Sequence, residues 1–141
     1  MAPTGEISGT VLEDHSTRLD NICAMANINI TYVGLDGEVR SDMSETGKYG
    51  QTYIGPAAGI LVHVRSRDTG EPTACTLPLT TNSTADHKLP VSEPWIALIK
   101  RGECDFAEKV RHALRYNASA VLIYNHLESP NLDKMSIPAD L

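Results

Sequence analysis

Residues 95 to 125 read as strand, turn, helix and strand, and no other part of the chain restricts the fold as much. Trp95 to Ile99, WIALI, is apolar throughout, the pattern of a strand covered on both faces. A polar turn follows, and then Cys104. Asp105 is a good N-cap and Glu108, three residues later, completes a capping-box-like pattern, which predicts a helix starting at Phe106. Phe106, Val110, Ala113 and Leu114 recur at i, i+4, i+7 and i+8, one apolar stripe for docking on a sheet. Asn117 ends the helix, because asparagine tolerates the left-handed backbone of a helix terminus. SAVLIYN, residues 119 to 125, predicts a second buried strand. Two strands joined through one helix by short connections form a βαβ unit, so they should be parallel with a right-handed crossover.

The position of Cys104 admits two readings. A strand that turns sharply into a helix is where several hydrolase folds display a nucleophile, and a helix N-terminus favours the thiolate. The other reading is structural, as half of a disulfide or a buried thiol. The remaining cysteines are Cys23 and Cys75. Their spacing forms no CxxC pair and supports no zinc site, and an odd count in a secreted domain most simply means one disulfide and one free thiol.

Composition removes several classes. The chain has 141 residues, enough for one domain with a core. Twelve basic against eighteen acidic residues leave a net charge of -6, which would repel a phosphate backbone. Five tyrosines, one phenylalanine and one tryptophan offer few platforms for stacking bases, so nucleic acid is not expected as a partner. No stretch reaches the roughly 18 apolar residues of a membrane span, and the first twenty residues lack the pattern of a signal peptide. Asn29, Asn82 and Asn117 each begin an N-glycosylation sequon, which points instead to a secretory route. No G-x-S-x-G or H-E-x-x-H occurs.

Elsewhere the pattern is weaker. Residues 1 to 22 are polar and show no period, and are expected to be a loose arm, with the domain running from 23 to 141. In NINITYV, residues 27 to 33, Ile28, Ile30 and Tyr32 alternate with polar residues as in a half-buried strand, with Asn29 facing solvent. GLDG at 34 to 37 is turn chemistry and EVRSDM is a returning strand. In GILVHVR, residues 59 to 65, Ile60, Val62 and Val64 share one face and Leu61 and His63 the other. The stretch from Asp68 to Pro94 holds four prolines and Cys75, too broken for regular structure; loops of such length are functional or stapled. The basic residues Lys100, Arg101, Lys109, Arg111 and Arg115 read as a solvated face, and the five histidines as surface residues.

ETGKYGQ (45 to 51), AAGILV (57 to 62), the loop cysteine, WIALIKRGECDFAEKV (95 to 110) and ASAVLIYN (118 to 125) together resemble the protease-associated (PA) domain, and within it the luminal domain of Goliath- and GRAIL-type transmembrane RING ubiquitin ligases. The resemblance implies an α+β fold, a small β-sandwich or open barrel flanked by short helices. It implies no catalytic residues, a disulfide between Cys75 and Cys104, and a role in recruiting proteins. Members of the group carry a signal peptide, further PA strands, a membrane helix and a zinc-binding RING, so the chain is expected to be incomplete at its C-terminus, with no cofactor of its own and zinc held by the RING of the parent. The parent would bind E2 enzymes through the RING and membrane-protein ectodomains as substrates through this domain, on the luminal or extracellular side; no small-molecule substrate is implied. A partner is expected on the irregular segments, residues 69 to 94 and residues 126 to 138, the latter offering His126, Leu127, Glu128, Asn131 and Lys134. A PA domain of a peptidase or sorting receptor is the alternative, and a small enzyme built on Cys104 or on a Ser/His/Asp set is the remaining reading.

Overall fold

The computed structural model describes residues 4–13, 22–48 and 56–125. A six-stranded mixed sheet organises them, in the order β3-β2-β1-β4-β7-β8. Its strands are β1 (Thr4–Glu13), β2 (Ile22–Val33), β3 (Val39–Lys48), β4 (Ala57–His63), β7 (Trp95–Lys100) and β8 (Ala120–Tyr124). The short strands β5 (Arg65–Ser66) and β6 (Leu79–Thr80) pair separately, and α1 (Phe106–Arg115) links β7 to β8. This is an α+β fold, and among the described residues the sheet is open rather than closed into a barrel.

The βαβ unit forms as its pattern predicts. β4 pairs with β7 and β7 with β8 in parallel, as in Ile60↔Trp95 and Ala97↔Val121. β7 is fully covered because it lies between two strands, with Trp95, Ile96, Ala97 and Ile99 all at 0% exposure. β8 is half-buried instead of buried, since it is the edge strand of the described sheet. The alternation in β4 also holds: Val62 and Val64 pack with Trp95, Ala97, Ile99 and Ala113 on one face of the sheet, while Leu61 joins Ile7 and Ile96 on the other. His63 is exposed and meets the Tyr124 ring edge-on.

Residues 4 to 13 depart from the expected loose arm. β1 runs antiparallel to β2 from Thr4↔Thr31 to Glu13↔Ile22, and it pairs with β4 from Thr4↔Ile60 to Ile7↔Ala57. Ile7 supplies a core residue, and Gly5 lets the strand pass close to Ile96, whose Cδ1 would lie 3.3 Å from an added Cβ. β2 and β3 then form the expected hairpin around the 34 to 37 turn, where Gly37 has φ +80° and Asp36 pairs with Arg40.

The helix begins at Phe106 with Asp105 accepting from the Glu108 amide, and ends before Asn117 at φ 65°. Its buried face overlaps the predicted stripe at Ala113, with Phe106 and Val110 half-buried, but is turned away from Leu114. Ala107, Lys109, His112 and Ala113 are buried and Leu114 is 43% exposed. Glu108 does not complete a capping box with its side chain, which meets His112 Nε2 at 3.0 Å and Arg111 at 3.8 Å. The rotation has a physical cause: the helix covers the cysteine-bearing loop as well as the sheet, and that loop offers carbonyls, which select polar hydrogen-bond donors.

Candidate recognition surface

Four anchors fix the segment from Arg67 to Pro94. At its start, Ser66 Oγ donates to the Thr76 carbonyl at 2.8 Å and accepts from the Thr76 amide at 3.3 Å. At its centre, Cys75 and Cys104 are joined by a disulfide with Cα atoms 5.8 Å apart. Beyond that, Leu79 N donates to Tyr116 Oη at 3.0 Å, while the indole of buried Trp95 donates to the Tyr116 carbonyl at 3.0 Å. Near its end, the Asn117 side-chain amide donates to the Val91 carbonyl at 3.0 Å.

The disulfide sits over two buried polar side chains from α1. Lys109, at 0% exposure, directs its ammonium to the Thr73 carbonyl at 2.8 Å and the Gly102 carbonyl at 2.7 Å, and lies 3.6 Å from Cys75 Sγ. His112 Nδ1 donates to the Ala74 carbonyl at 2.7 Å. The carbonyls point inward because the backbone is left-handed at Ala74 (φ 57°) and Glu103 (φ 67°), a conformation that turns successive peptide groups sharply. Burial pushes the Lys109 ammonium down to about 8, and the nearby Glu103 carboxylate opposes that shift. Lys109 and the disulfide thus connect the same two segments, the loop at 73 to 75 and the turn at 102 to 104.

Lys109 was expected on a solvated face and His112 at the surface; both expectations fail. Their periodicity carried no warning, since a charged residue on a helix is normally exposed. The one available signal was that Lys109 follows the turn cysteine by five residues, so that one side of the first helical turn must face the stapled loop. The Cys104 sulfur is bonded to Cys75, as the structural reading of that cysteine has it.

Of the sequon residues, Asn82 and Asn117 are exposed. Asn29 is half-buried, and its Oδ1 is buried with no hydrogen-bond partner among the described residues, so it does not simply face solvent. His126, Leu127, Glu128, Asn131 and Lys134 lie outside the described residues. At the helix N-terminal end, exposed Glu103 accepts from Thr73 Oγ1 at 3.2 Å, and the Arg101 guanidinium stands 5.4 Å over the half-buried Phe106 ring. Among the described residues, no group of three His, Cys, Asp or Glu side chains is arranged to hold a metal ion, and no helix is long and apolar enough to cross a membrane.

An open sheet with a βαβ unit and a loop stapled to its helix defines a small α+β module that presents ordered loops. The PA domain family matches over residues 57–140, and the chain belongs to that family. It is similar to RING finger protein 150 of Danio rerio, at 35% identity over 80% of this chain and 26% of that protein. E3 ubiquitin-protein ligase RNF128 of Xenopus laevis is 35% identical over 80% of this chain and 27% of its own length. E3 ubiquitin-protein ligase RNF149 of Homo sapiens is 34% identical over 76% of this chain and 27% of its own. The chain therefore spans about a quarter of the length of these curated relatives. No solved structure matches it significantly.

Proposed function

We propose that this chain is the luminal or extracellular recognition domain of a transmembrane RING-type ubiquitin ligase, and that it holds the ectodomains of membrane proteins so that the parent's RING can direct ubiquitin onto their cytosolic parts. The observation that carries the proposal is the similarity of a PA-family chain to proteins named as RING finger proteins and E3 ubiquitin ligases. In this reading the RING binds zinc and the E2 enzyme. The recognition domain contributes effective concentration: a substrate held beside the ligase receives ubiquitin in what is locally an intramolecular event.

Loops are where binding residues concentrate when a rigid frame positions them, and the anchored segment from 67 to 94 has such a frame. The disulfide end, with Cys75 and Thr76 beside Glu103 to Phe106, is the surface proposed for contact.

The test is a parent ligase lacking residues 27 to 141. It should still ubiquitinate itself and should lose ubiquitination of its membrane target. Target ubiquitination at its original level would show that other parts of the parent choose the substrate.

A further inference from the structure

We infer that Asn82 and Asn117 each carry an N-linked oligosaccharide, that Asn29 does not, and that the Asn117 sugar covers an apolar patch formed by Val91 and Leu114. The inference rests on the secretory placement proposed above. Three sequons are present, and the structure treats them differently.

Asn117 follows the helix at φ 65° and is exposed, and Ser119, the hydroxyl residue of its sequon, is exposed as well. The Asn117 side chain donates to the Val91 carbonyl and its backbone amide donates to Leu114, yet the Val91 and Leu114 side chains are 46% and 43% exposed. Two exposed aliphatic residues whose carbonyls both bond to one exposed asparagine lie within reach of the apolar face of a sugar ring attached to it. The amide keeps one hydrogen after modification, enough for the bond to Val91.

Asn82 lies in the bend that follows β6, with its side chain exposed. The bend is held without it, since the Ser83 amide donates to Thr81 Oγ1 at 2.9 Å and Thr84 Oγ1 donates to the Lys88 carbonyl at 2.9 Å. A sugar at Asn82 displaces nothing. Asn29 is opposite in kind. It sits within β2, opposite Glu6 of β1 and at the register shift against β3, and its Oδ1 is buried. An oligosaccharide there would have to displace whatever covers that oxygen on the face of the sheet.

The chemistry is transfer from an oligosaccharide linked to a lipid pyrophosphate. Asparagine Nδ2 bonds to the anomeric carbon, the bond from that carbon to the pyrophosphate oxygen breaks, the lipid pyrophosphate leaves, and Nδ2 loses one proton. Nothing is oxidised or reduced.

The Asn117 sugar then belongs to the helix C-terminal end, and Cys104 to the other end of a ten-residue helix, roughly 15 Å away. The disulfide end stays open to a protein partner.

The test is to secrete the full 141-residue chain from eukaryotic cells behind an added cleavable signal sequence, release sugars with an amidase in heavy-oxygen water, and map the peptides. Heavy aspartate is expected at positions 82 and 117 and ordinary asparagine at 29. An unlabelled 82 or 117, or a labelled 29, in folded secreted protein overturns the assignment. For the patch, Asn117→Gln should bind more of a hydrophobic fluorescent dye than the wild type, and Asn117→Gln with Val91→Ser and Leu114→Ser should return to the wild-type level; equal dye binding by the wild type and Asn117→Gln overturns the covering role. Forced secretion separates this inference from the placement of the parent, which is read independently by whether the domain in sealed vesicles resists added protease.

Discussion

The Lys109 ammonium donates to the Gly102 carbonyl at 2.7 Å from a position with no solvent exposure. Because Gly102 belongs to the turn that carries Cys104, and the second acceptor, Thr73, precedes Cys75 by two residues, this one side chain repeats in hydrogen bonds the connection that the disulfide makes covalently.

Replacing Lys109 with methionine keeps most of the volume and leaves the Thr73 carbonyl short of its donor. A loss of about 1 to 3 kcal/mol in unfolding free energy is expected from the unpaired buried acceptor. Leu114→Asp, on the exposed side of the helix, should change stability by less than about 0.5 kcal/mol. Urea denaturation of both variants measures this, and the opposite ranking would mean that the helix docks through the Leu114 face.

The same residue gives stability a distinctive pH dependence. Burial lowers Lys109 from its ordinary 10.5 to about 8. Below the folded value both states hold the proton, and the cost of the buried charge is fully present. Between pH 8 and 10.5 the unfolded chain binds more protons than the folded one, so the contribution of this group to stability rises with pH. The gap in unfolding free energy between wild type and Lys109→Met should widen as pH is raised from 8 to 10. A constant gap would show that the amine is not desolvated.

Gly59 tests the junction of β4 and β7. An added Cβ would lie 2.6 Å from the Pro94 carbonyl oxygen and 2.9 Å from the Trp95 nitrogen, both backbone atoms, while the Ile60 amide donates to that same carbonyl at 3.1 Å. Gly59→Ala must push the strands apart and should cost about 1 to 3 kcal/mol. A thermal melt that matches the wild type would contradict this close approach.

The legible and illegible parts of the fold differ in what encodes them. β7, the helix limits from Phe106 to Arg115 and the parallel β8 follow from apolar runs, an N-cap and a left-handed asparagine, all local signals. β1 was not legible, because a polar strand between two others is held by backbone pairing that leaves little trace in side chains. The helix face was misread for a related reason. Its register is set by carbonyls of a loop 36 and 38 residues upstream, and periodicity over ten residues carries no record of so distant an acceptor.

The disulfide and Lys109 should be energetically coupled, since they join the same two segments. Cys75→Ser with Cys104→Ser opens a loop of sequence separation 29 and should cost about 3 to 4 kcal/mol by the chain-entropy account. With the loop freed, Lys109 has less to hold, so adding Lys109→Met should cost less than it does in the disulfide-bonded protein, by more than about 0.5 kcal/mol. Strictly additive losses would show that the two connections act independently.

The functional consequence of that hub can be tested in a full parent ligase. Under the proposed role, the disulfide orders the surface around Thr76 and Glu103 that meets the substrate, while the RING acts elsewhere. A parent carrying Cys75→Ser and Cys104→Ser should keep self-ubiquitination and lose most transfer to its membrane target, because the recognition loop spends less time in its bound conformation and the apparent affinity falls by that fraction. Leu114→Asp, at the far end of the helix, should leave both activities unchanged and controls for general damage to the domain. Binding of the purified target ectodomain to the secreted domain, with and without reductant, provides the independent readout: reduction should weaken it in the wild type and have no effect on the double serine variant. Target transfer that survives loss of the disulfide would place the contact surface away from the hub, even if the domain is still required.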